Sequence, residues 1–195
     1  MAECLICQQP LATKNSWQQL LRGQPTFELC ANCEEQIHYS QEKDAIYFYN
    51  EWMKKVLHQF KFHQDIRVAA FFAKALKQKL KHYDFDILMP VPMHPLMEKK
   101  RTFSHMNAIL QAANLPFQQY LAKATPEQQS KKTKEVREKV SQLFTIKTKI
   151  GSEKSRILLV DDLVTTGTTR QHATTALYEA GIEKIDFIAL ISAKK

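Results

Sequence analysis

Two spacings of apolar residues alternate along the chain, one typical of helices and one typical of buried strands. Apolar residues three and four positions apart predict helices over residues 51–59, 65–82, 101–114 and 168–180. Short apolar runs bounded by polar residues predict strands over residues 45–49, 86–91, 116–121, 143–148, 156–161 and 185–192. Strands that alternate with helices indicate an α/β domain with a mostly parallel sheet flanked by helices.

The predicted helix over residues 65–82 has two distinct sides. The inward side is expected to carry the apolar residues Ile66, Ala69, Phe72, Ala73, Leu76 and Leu80. On the other side, Lys74, Lys77 and Lys81 recur at spacings of three and four residues. We expect these three lysines to contact single-stranded DNA, and an ordinary solvated lysine face is the alternative interpretation.

Composition narrows the class of protein. The 195 residues are 44% hydrophobic and 25% charged, which is enough apolar material for a core. Only four glycines are present, so collagen-like and glycine-linker classes are excluded. No apolar run approaches the ~18–20 residues of a membrane span, and the first residues lack the features of a signal peptide. A soluble, cytoplasmic globular protein is therefore expected.

Charge is unevenly placed along the sequence. Residues 1–50 carry three bases and six acids, whereas residues 51–195 carry 25 bases and 14 acids. A positive excess favours binding to polyanions, because each Lys or Arg near a phosphate releases a counterion. Trp52, Phe60 and Phe62 lie within a basic segment, where they could stack on nucleic-acid bases. The competing explanation is that the excess of basic residues only keeps the protein soluble.

All four cysteines lie near the start of the chain, at Cys4, Cys7, Cys30 and Cys33. A gap of two residues within each pair lets both thiolates bind one metal ion, and two pairs complete a tetrahedral zinc site. Two disulfides are the alternative, but a chain without a leader is expected in a reducing compartment. The pattern predicts a small zinc ribbon or finger over residues 1–44, with structural zinc whose binding is coupled to folding.

Residues 157–169 form the chemically most informative stretch. Its apolar strand ends in Asp161 and Asp162, at the position where open α/β sheets bind ligands. A hydroxyl-rich turn then leads to a helix N-terminus, which offers N–H groups to a phosphate. The turn residues expected at the phosphate are Thr165, Thr166, Gly167, Thr168 and Thr169. Two carboxylates beside such a turn suit the hydroxyls of a ribose, directly or through Mg²⁺. A strand–turn–helix with capping threonines is the alternative.

This stretch resembles the phosphoribosyl pyrophosphate (PRPP) signature of type I phosphoribosyltransferases. The order of features along nearly the whole chain resembles the ComF family, the competence proteins of natural transformation. The features are four cysteines, a Pro-Val-Pro strand end, a basic–aromatic segment, a polar loop and the PRPP signature. The resemblance implies a type I phosphoribosyltransferase-like domain over residues 45–195. It also implies that Asp161 and Asp162 hold the ribose hydroxyls, that residues 165–169 wrap the 5′-phosphate, and that Mg²⁺ accompanies PRPP.

The same resemblance implies further contacts before this stretch. The Pro-Val-Pro end leads into a pyrophosphate loop at Met93 and His94. Arg101 matches the arginine of the family motif Arg-Gly-Phe-Asn-Gln. In this chain the stretch reads Arg101-Thr-Phe-Ser-His105, with Thr102 and Ser104 in place of Gly and Asn.

Three functions fit these expectations. The first, which the charge placement favours, is a competence protein for DNA uptake that binds PRPP and single-stranded DNA. The second is an active phosphoribosyltransferase that transfers ribose 5-phosphate from PRPP to a nucleobase or amine. For that chemistry the polar residues 122–142 would supply a mobile loop that excludes water. The third is a PRPP-sensing adaptor whose cysteine-rich head docks other DNA-uptake proteins.

Overall fold

The computed structural model describes residues 2–11, 28–123, 143–148, 150–151 and 154–193, and strands alternate with helices through them. The helices are α1 (Ala31–Glu35), α2 (Glu51–Phe62), α3 (Ala69–Leu80), α4 (Pro95–Arg101), α5 (His105–Ala112) and α6 (Thr168–Glu179). The strands are β1 (Ala45–Phe48), β2 (Ile87–Pro90), β3 (Leu121–Lys123), β4 (Phe144–Ile146), β5 (Arg156–Val164) and β6 (Lys184–Ser192).

Four parallel strands form the main sheet, in the order β1–β6–β5–β2. In its centre, β5 pairs with β6 from Arg156 opposite Lys184 to Val164 opposite Ser192. Strands β3 and β4 form a separate antiparallel pair, and β3 starts only at the end of the predicted range 116–121. Parallel neighbours need long crossover connections, which the helices supply. The expected α/β class, with a parallel sheet flanked by helices, is confirmed.

Apolar side chains bury both faces of this sheet. In β5, Leu158 and Val160 belong to the apolar cluster that helices α2, α3 and α5 complete. Ile157 and Leu159 belong to the opposite cluster, with α6 and the β3–β4 pair. All four side chains are 1% exposed or less. Burial on both faces explains why the strand is a continuous aliphatic run, and it leaves the strand ends for polar chemistry.

Two predicted helix boundaries differ from the structure near residue 65. Helix α2 continues to Phe62, beyond the predicted end at residue 59. The first part of the predicted helix 65–82 is a separate 3₁₀ turn at Ile66–Val68, and α3 begins only at Ala69. Ile66 is 56% exposed, so its predicted inward position is wrong, because the tighter turn places it off the buried face. The other five predicted inward residues of this helix are buried as expected.

The predicted helix over residues 101–114 is two helices. Helix α4 already begins at Pro95, whose ring suits a first helical turn, and the side chain of His94 caps it. Thr102 has a φ of +64°, in the left-handed region, and ends α4. Helix α5 follows from its N-cap Ser104. None of the described helices is long and apolar enough to cross a membrane.

Candidate functional site

The four cysteines converge on one point. Cys4 and Cys7 come from an N-terminal turn, Cys30 is the N-cap residue of α1, and Cys33 lies within α1. All four Sγ atoms lie within 4.8 Å of one another, and those of Cys7 and Cys30 are 3.6 Å apart. Zinc–sulfur bonds of ~2.3 Å in a tetrahedron place sulfurs ~3.8 Å apart. The cysteines are free thiols, so the disulfide alternative is not what the structure forms.

Hydrogen bonds favour the thiolate form of Cys4, one of the four cysteines. Burial raises the pKa of the Cys4 thiol, but backbone N–H groups of Cys7, Cys30 and Ile6 outweigh it and lower that pKa to about 6. The Cys30 N–H donates to Cys4 Sγ at 3.4 Å. Burial raises the pKa of Cys33, and the neighbouring sulfurs add to that effect. Four sulfurs this close together fit a zinc ion, because the cation would stabilise all four thiolates.

The cysteine-rich head packs directly on α2. Leu5 is 9% exposed and belongs to the same apolar cluster as Phe60 of that helix. The Gln59 side chain donates to the Leu5 carbonyl at 3.3 Å and to Asp65 at 2.9 Å. The head therefore contributes to the core beneath α2 rather than standing apart from it.

The predicted acidic pair lies within the carboxyl half of β5, which runs on to Val164 instead of ending at the pair. Asp161 Oδ1 accepts the N–H of Asp162 at 2.8 Å. Asp162 Oδ2 lies 2.6 Å from Lys61 Nζ at the end of α2. His105, the first residue of α5, places Nδ1 3.9 Å from the same oxygen. The structure thus brings α2 and α5 to the pair through Lys61 and His105, and the sequence pattern indicated neither residue.

Burial shifts the pKa values of Asp161 and His105 in opposite directions. It raises the pKa of Asp161 to about 7, and the charge of Asp162 adds to the rise, against the opposing charges of Lys61 and Lys123. Burial also lowers the pKa of His105 to about 4, helped by the charges of Lys61 and Arg101 and opposed by that of Asp162. At neutral pH the imidazole is uncharged, and Asp161 is the group that gains or loses a proton.

The turn after β5 presents hydroxyls at the start of α6. Gly167 is the N-cap residue of α6 and has a φ of +82°. Any residue with a side chain would be strained in this backbone conformation. The hydroxyls of Thr166 and Thr168 lie 2.8 Å apart, and the Thr168 N–H is 3.4 Å from the Thr166 hydroxyl. Thr165, Thr166 and Thr168 are exposed, whereas Thr169 is half-buried. The turn is open to solvent, with hydroxyls and a helix N-terminus together.

The three predicted pyrophosphate-loop residues have different surroundings. Met93 is half-buried, and His94 Nδ1 accepts the Leu96 N–H at 3.2 Å to cap α4. Arg101 ends that helix with its guanidinium 5.3 Å from the Phe62 ring centre. Its Nε is buried and has no hydrogen-bond partner in the described ranges. Because its charge acts on His105, Arg101 is the one of the three that belongs electrostatically to the acidic site.

The predicted nucleic-acid residues divide into exposed and buried groups. Lys74, Lys77 and Lys81 are exposed, as expected. Phe60 is fully buried, so the hypothesis that it stacks on bases is wrong; its helical position directs it to the core. Trp52 is half-buried and packs edge-on against an aromatic ring of α3, whereas Phe62 is 59% exposed. Most of the predicted mobile loop, residues 124–142, lies outside the described residues.

Comparisons with known proteins give relatives of one kind. No family model matches the chain. Competence protein ComFC of Streptococcus pneumoniae (strain ATCC BAA-255 / R6) is 30% identical over 159 residues, which are 82% of this chain and 71% of that protein. Competence protein ComFC of Bacillus subtilis (strain 168) is 30% identical over 172 residues, covering 82% and 70% of the two chains.

Solved structures that share part of the backbone path of this chain have a lower sequence identity to it than the two competence proteins. A glutamine PRPP amidotransferase from B. subtilis is 20% identical, with a TM-score of 0.46 over 64% of this chain and 26% of its own. The adenine phosphoribosyl transferase of Trypanosoma brucei is 14% identical, with a TM-score of 0.43 over 83% of this chain and 78% of its own. On the identity and coverage of its curated relatives, the chain belongs to the ComFC family of competence proteins.

Proposed function

We propose that this protein binds PRPP together with Mg²⁺ at the carboxyl end of β5. The observation that carries the proposal is the continuity of Asp161 and Asp162 with the hydroxyl-rich turn at residues 165–169. Carboxylates accept hydrogen bonds from ribose hydroxyls, and the open turn at a helix N-terminus suits a phosphate. The two carboxylates and the turn follow one another in the chain, so they can contact the ribose hydroxyls and the 5′-phosphate of one ligand.

The residues present fit a magnesium ion that arrives with the ligand. Mg²⁺ is held in proteins by one or two carboxylates plus substrate phosphates. Asp162 already has Lys61 as its cation, whereas the raised pKa of Asp161 marks a carboxylate that burial and Asp162 leave short of positive charge. Asp161 is therefore the residue that would hold Mg²⁺, and the ion would supply charge neutralisation for the pyrophosphate. Arg101 supplies a further positive charge near His105.

Replacement of both acids tests the PRPP site. Asp161→Asn/Asp162→Asn removes the charge that orders ribose and metal, so PRPP affinity should fall at least tenfold, or ~1.4 kcal/mol. Isothermal titration calorimetry in saturating Mg²⁺ measures it. The matched control is Glu183→Gln/Asp186→Asn, which removes two exposed acids near the opposite end of the sheet. Equal affinity of the wild type and the first variant would show that the acidic pair does not hold the ribose or the metal.

A second function, binding of single-stranded DNA, is favoured by exposed lysines along α3 and at its C-cap. Lys74, Lys77 and Lys81 lie on the solvent side of a helix whose opposite side is buried. Charges in this arrangement can contact successive phosphates without cost to the core. We propose that the protein handles single-stranded DNA on this surface during DNA uptake, and that PRPP binds at a separate site.

A further inference from the structure

Lys61 reaches into the acidic site from the last turn of α2. Its Nζ lies 2.6 Å from Asp162 Oδ2, and the two side chains are only 14% and 20% exposed. The neighbouring Phe60 is fully buried, and its ring centre lies 5.2 Å from that of His105. The core therefore fixes the helix end that carries Lys61. A cation is thus built into the site, beside one of its two carboxylates.

Other groups around Asp162 do not replace this cation. His105 lies 3.9 Å away, but burial and the charge of Lys61 lower its pKa to about 4, so it is neutral at physiological pH. Within the described part of the chain, Lys61 is the one Lys or Arg in ion-pair contact with the acidic pair. Asp161 has no such partner there and accepts only the Asp162 N–H.

We infer that Lys61 is a positioning residue of this site. It neutralises Asp162 and holds its carboxylate, so that Asp161 is the acid left for the ribose hydroxyls or the Mg²⁺ of the ligand. The inference rests on the proposed PRPP site. Two adjacent unpaired carboxylates would repel a pyrophosphate and would attract divalent cations in its absence. With Lys61 in place the ionised pair carries one net negative charge instead of two, so Mg²⁺ is bound with PRPP rather than beforehand.

Removal of Lys61 should change the affinities for Mg²⁺ and PRPP in opposite directions, which a purely structural role would not do. Calorimetric titrations with MgCl₂ alone, and with PRPP in saturating Mg²⁺, compare the wild-type chain with three variants. Lys61→Met is expected to bind Mg²⁺ at least about threefold more tightly and PRPP at least about tenfold more weakly. Lys61→Arg, which keeps the charge, and Lys55→Met, an exposed control on the same helix, should stay within about threefold of wild type.

A double variant separates charge from folding. Lys61→Met leaves a largely buried carboxylate without a partner, whereas Lys61→Met/Asp162→Asn removes both charges and should fold more readily. The double variant is expected to bind Mg²⁺ with wild-type affinity. Unchanged or weaker Mg²⁺ binding by Lys61→Met overturns the inference, as does a double variant that binds Mg²⁺ more tightly than wild type. A wild type that does not bind PRPP overturns the proposed function instead, and the MgCl₂ titrations still decide whether Lys61 compensates Asp162.

Discussion

At the scale of single residues, burial controls the protonation of the groups at the end of β5. Asp161 and His105 are shifted in opposite senses, and each is held in its neutral form over a wider pH range than in water. Lys61 and Asp162 form an ion pair beside these two groups, with Nζ and Oδ2 2.6 Å apart. The site therefore combines one fixed ion pair with one carboxyl group whose charge depends on pH.

Asp161 makes the stability of the ligand-free protein depend on pH. Its pKa is raised from 3.8 to about 7, so between these values the folded chain keeps a proton that the unfolded chain releases. Stability then falls as pH rises through this window, and the penalty is complete above pH ~7. Asp161→Asn removes it, and should be more stable than wild type by over ~1 kcal/mol near pH ~8, with no advantage near pH ~4.

Urea unfolding at a series of pH values, without Mg²⁺, measures this difference. Asp186→Asn is the control, since Asp186 is exposed, and its effect should not follow the same pH profile. An Asp161→Asn variant that is less stable than wild type at every pH would show that the ionised carboxylate is satisfied in the folded state.

At the scale of elements, the two cysteine pairs and α1 form a unit with few apolar residues of its own. Its geometry depends on four sulfurs that crowd within 4.8 Å. Bringing thiolates this close costs free energy unless a cation lies between them. Metal binding should therefore be required for this element to form.

We expect about one zinc per chain in freshly purified protein, and loss of at least about half of it in Cys4→Ser, because the site needs four sulfurs. The variant should also unfold at a lower temperature, since the head shares the core beneath α2. Elemental analysis and calorimetric melting measure the two effects, with Ala31→Ser on α1 as the control. Wild-type protein that has free thiols and no metal would contradict the zinc site.

Elements encoded by adjacent residues could be predicted, whereas contacts between distant elements could not. The β5–α6 unit was evident because an aliphatic run, two acids and Gly167 follow one another. The Lys61–Asp162 pair was not, because a lysine in a basic helix resembles a solvated one until the sheet places an acid opposite it. Phe60 was misassigned for the same reason: local charge suggested stacking, but the helical face determined burial.

At the scale of the whole molecule, residues 1–50 are slightly acidic and residues 51–195 are basic. The net charge of +8 arises after residue 50, where bases exceed acids by 25 to 14. Lys74, Lys77 and the C-cap residue Lys81 are an exposed part of this excess along α3. Such a surface should bind single-stranded DNA with little sequence preference.

Reversal of these three lysine charges tests this surface. Lys74→Glu/Lys77→Glu/Lys81→Glu should weaken oligonucleotide binding in fluorescence anisotropy and leave PRPP affinity nearly unchanged. For the wild type, log K should fall by ~0.7 per phosphate contact for each unit of log salt, and the slope should be shallower by ~2 in the variant. The control reverses three other exposed lysines, at positions 43, 147 and 184. If the wild type gives no anisotropy change at low salt, the proposed DNA surface is wrong.

The strand order has a consequence for how the chain folds. Strand β1 pairs in the sheet with β6, from Ala45 opposite Ala189 to Phe48 opposite Ser192. During synthesis, residues 45–48 are therefore made long before β6, the strand with which they pair. Contacts this distant in sequence slow folding and leave strand edges exposed in the interval. The cysteine-rich head and α2, on which it packs, both precede β6 in the chain, so they can associate before the sheet closes. Chaperone dependence should therefore concentrate in the late assembly of the sheet.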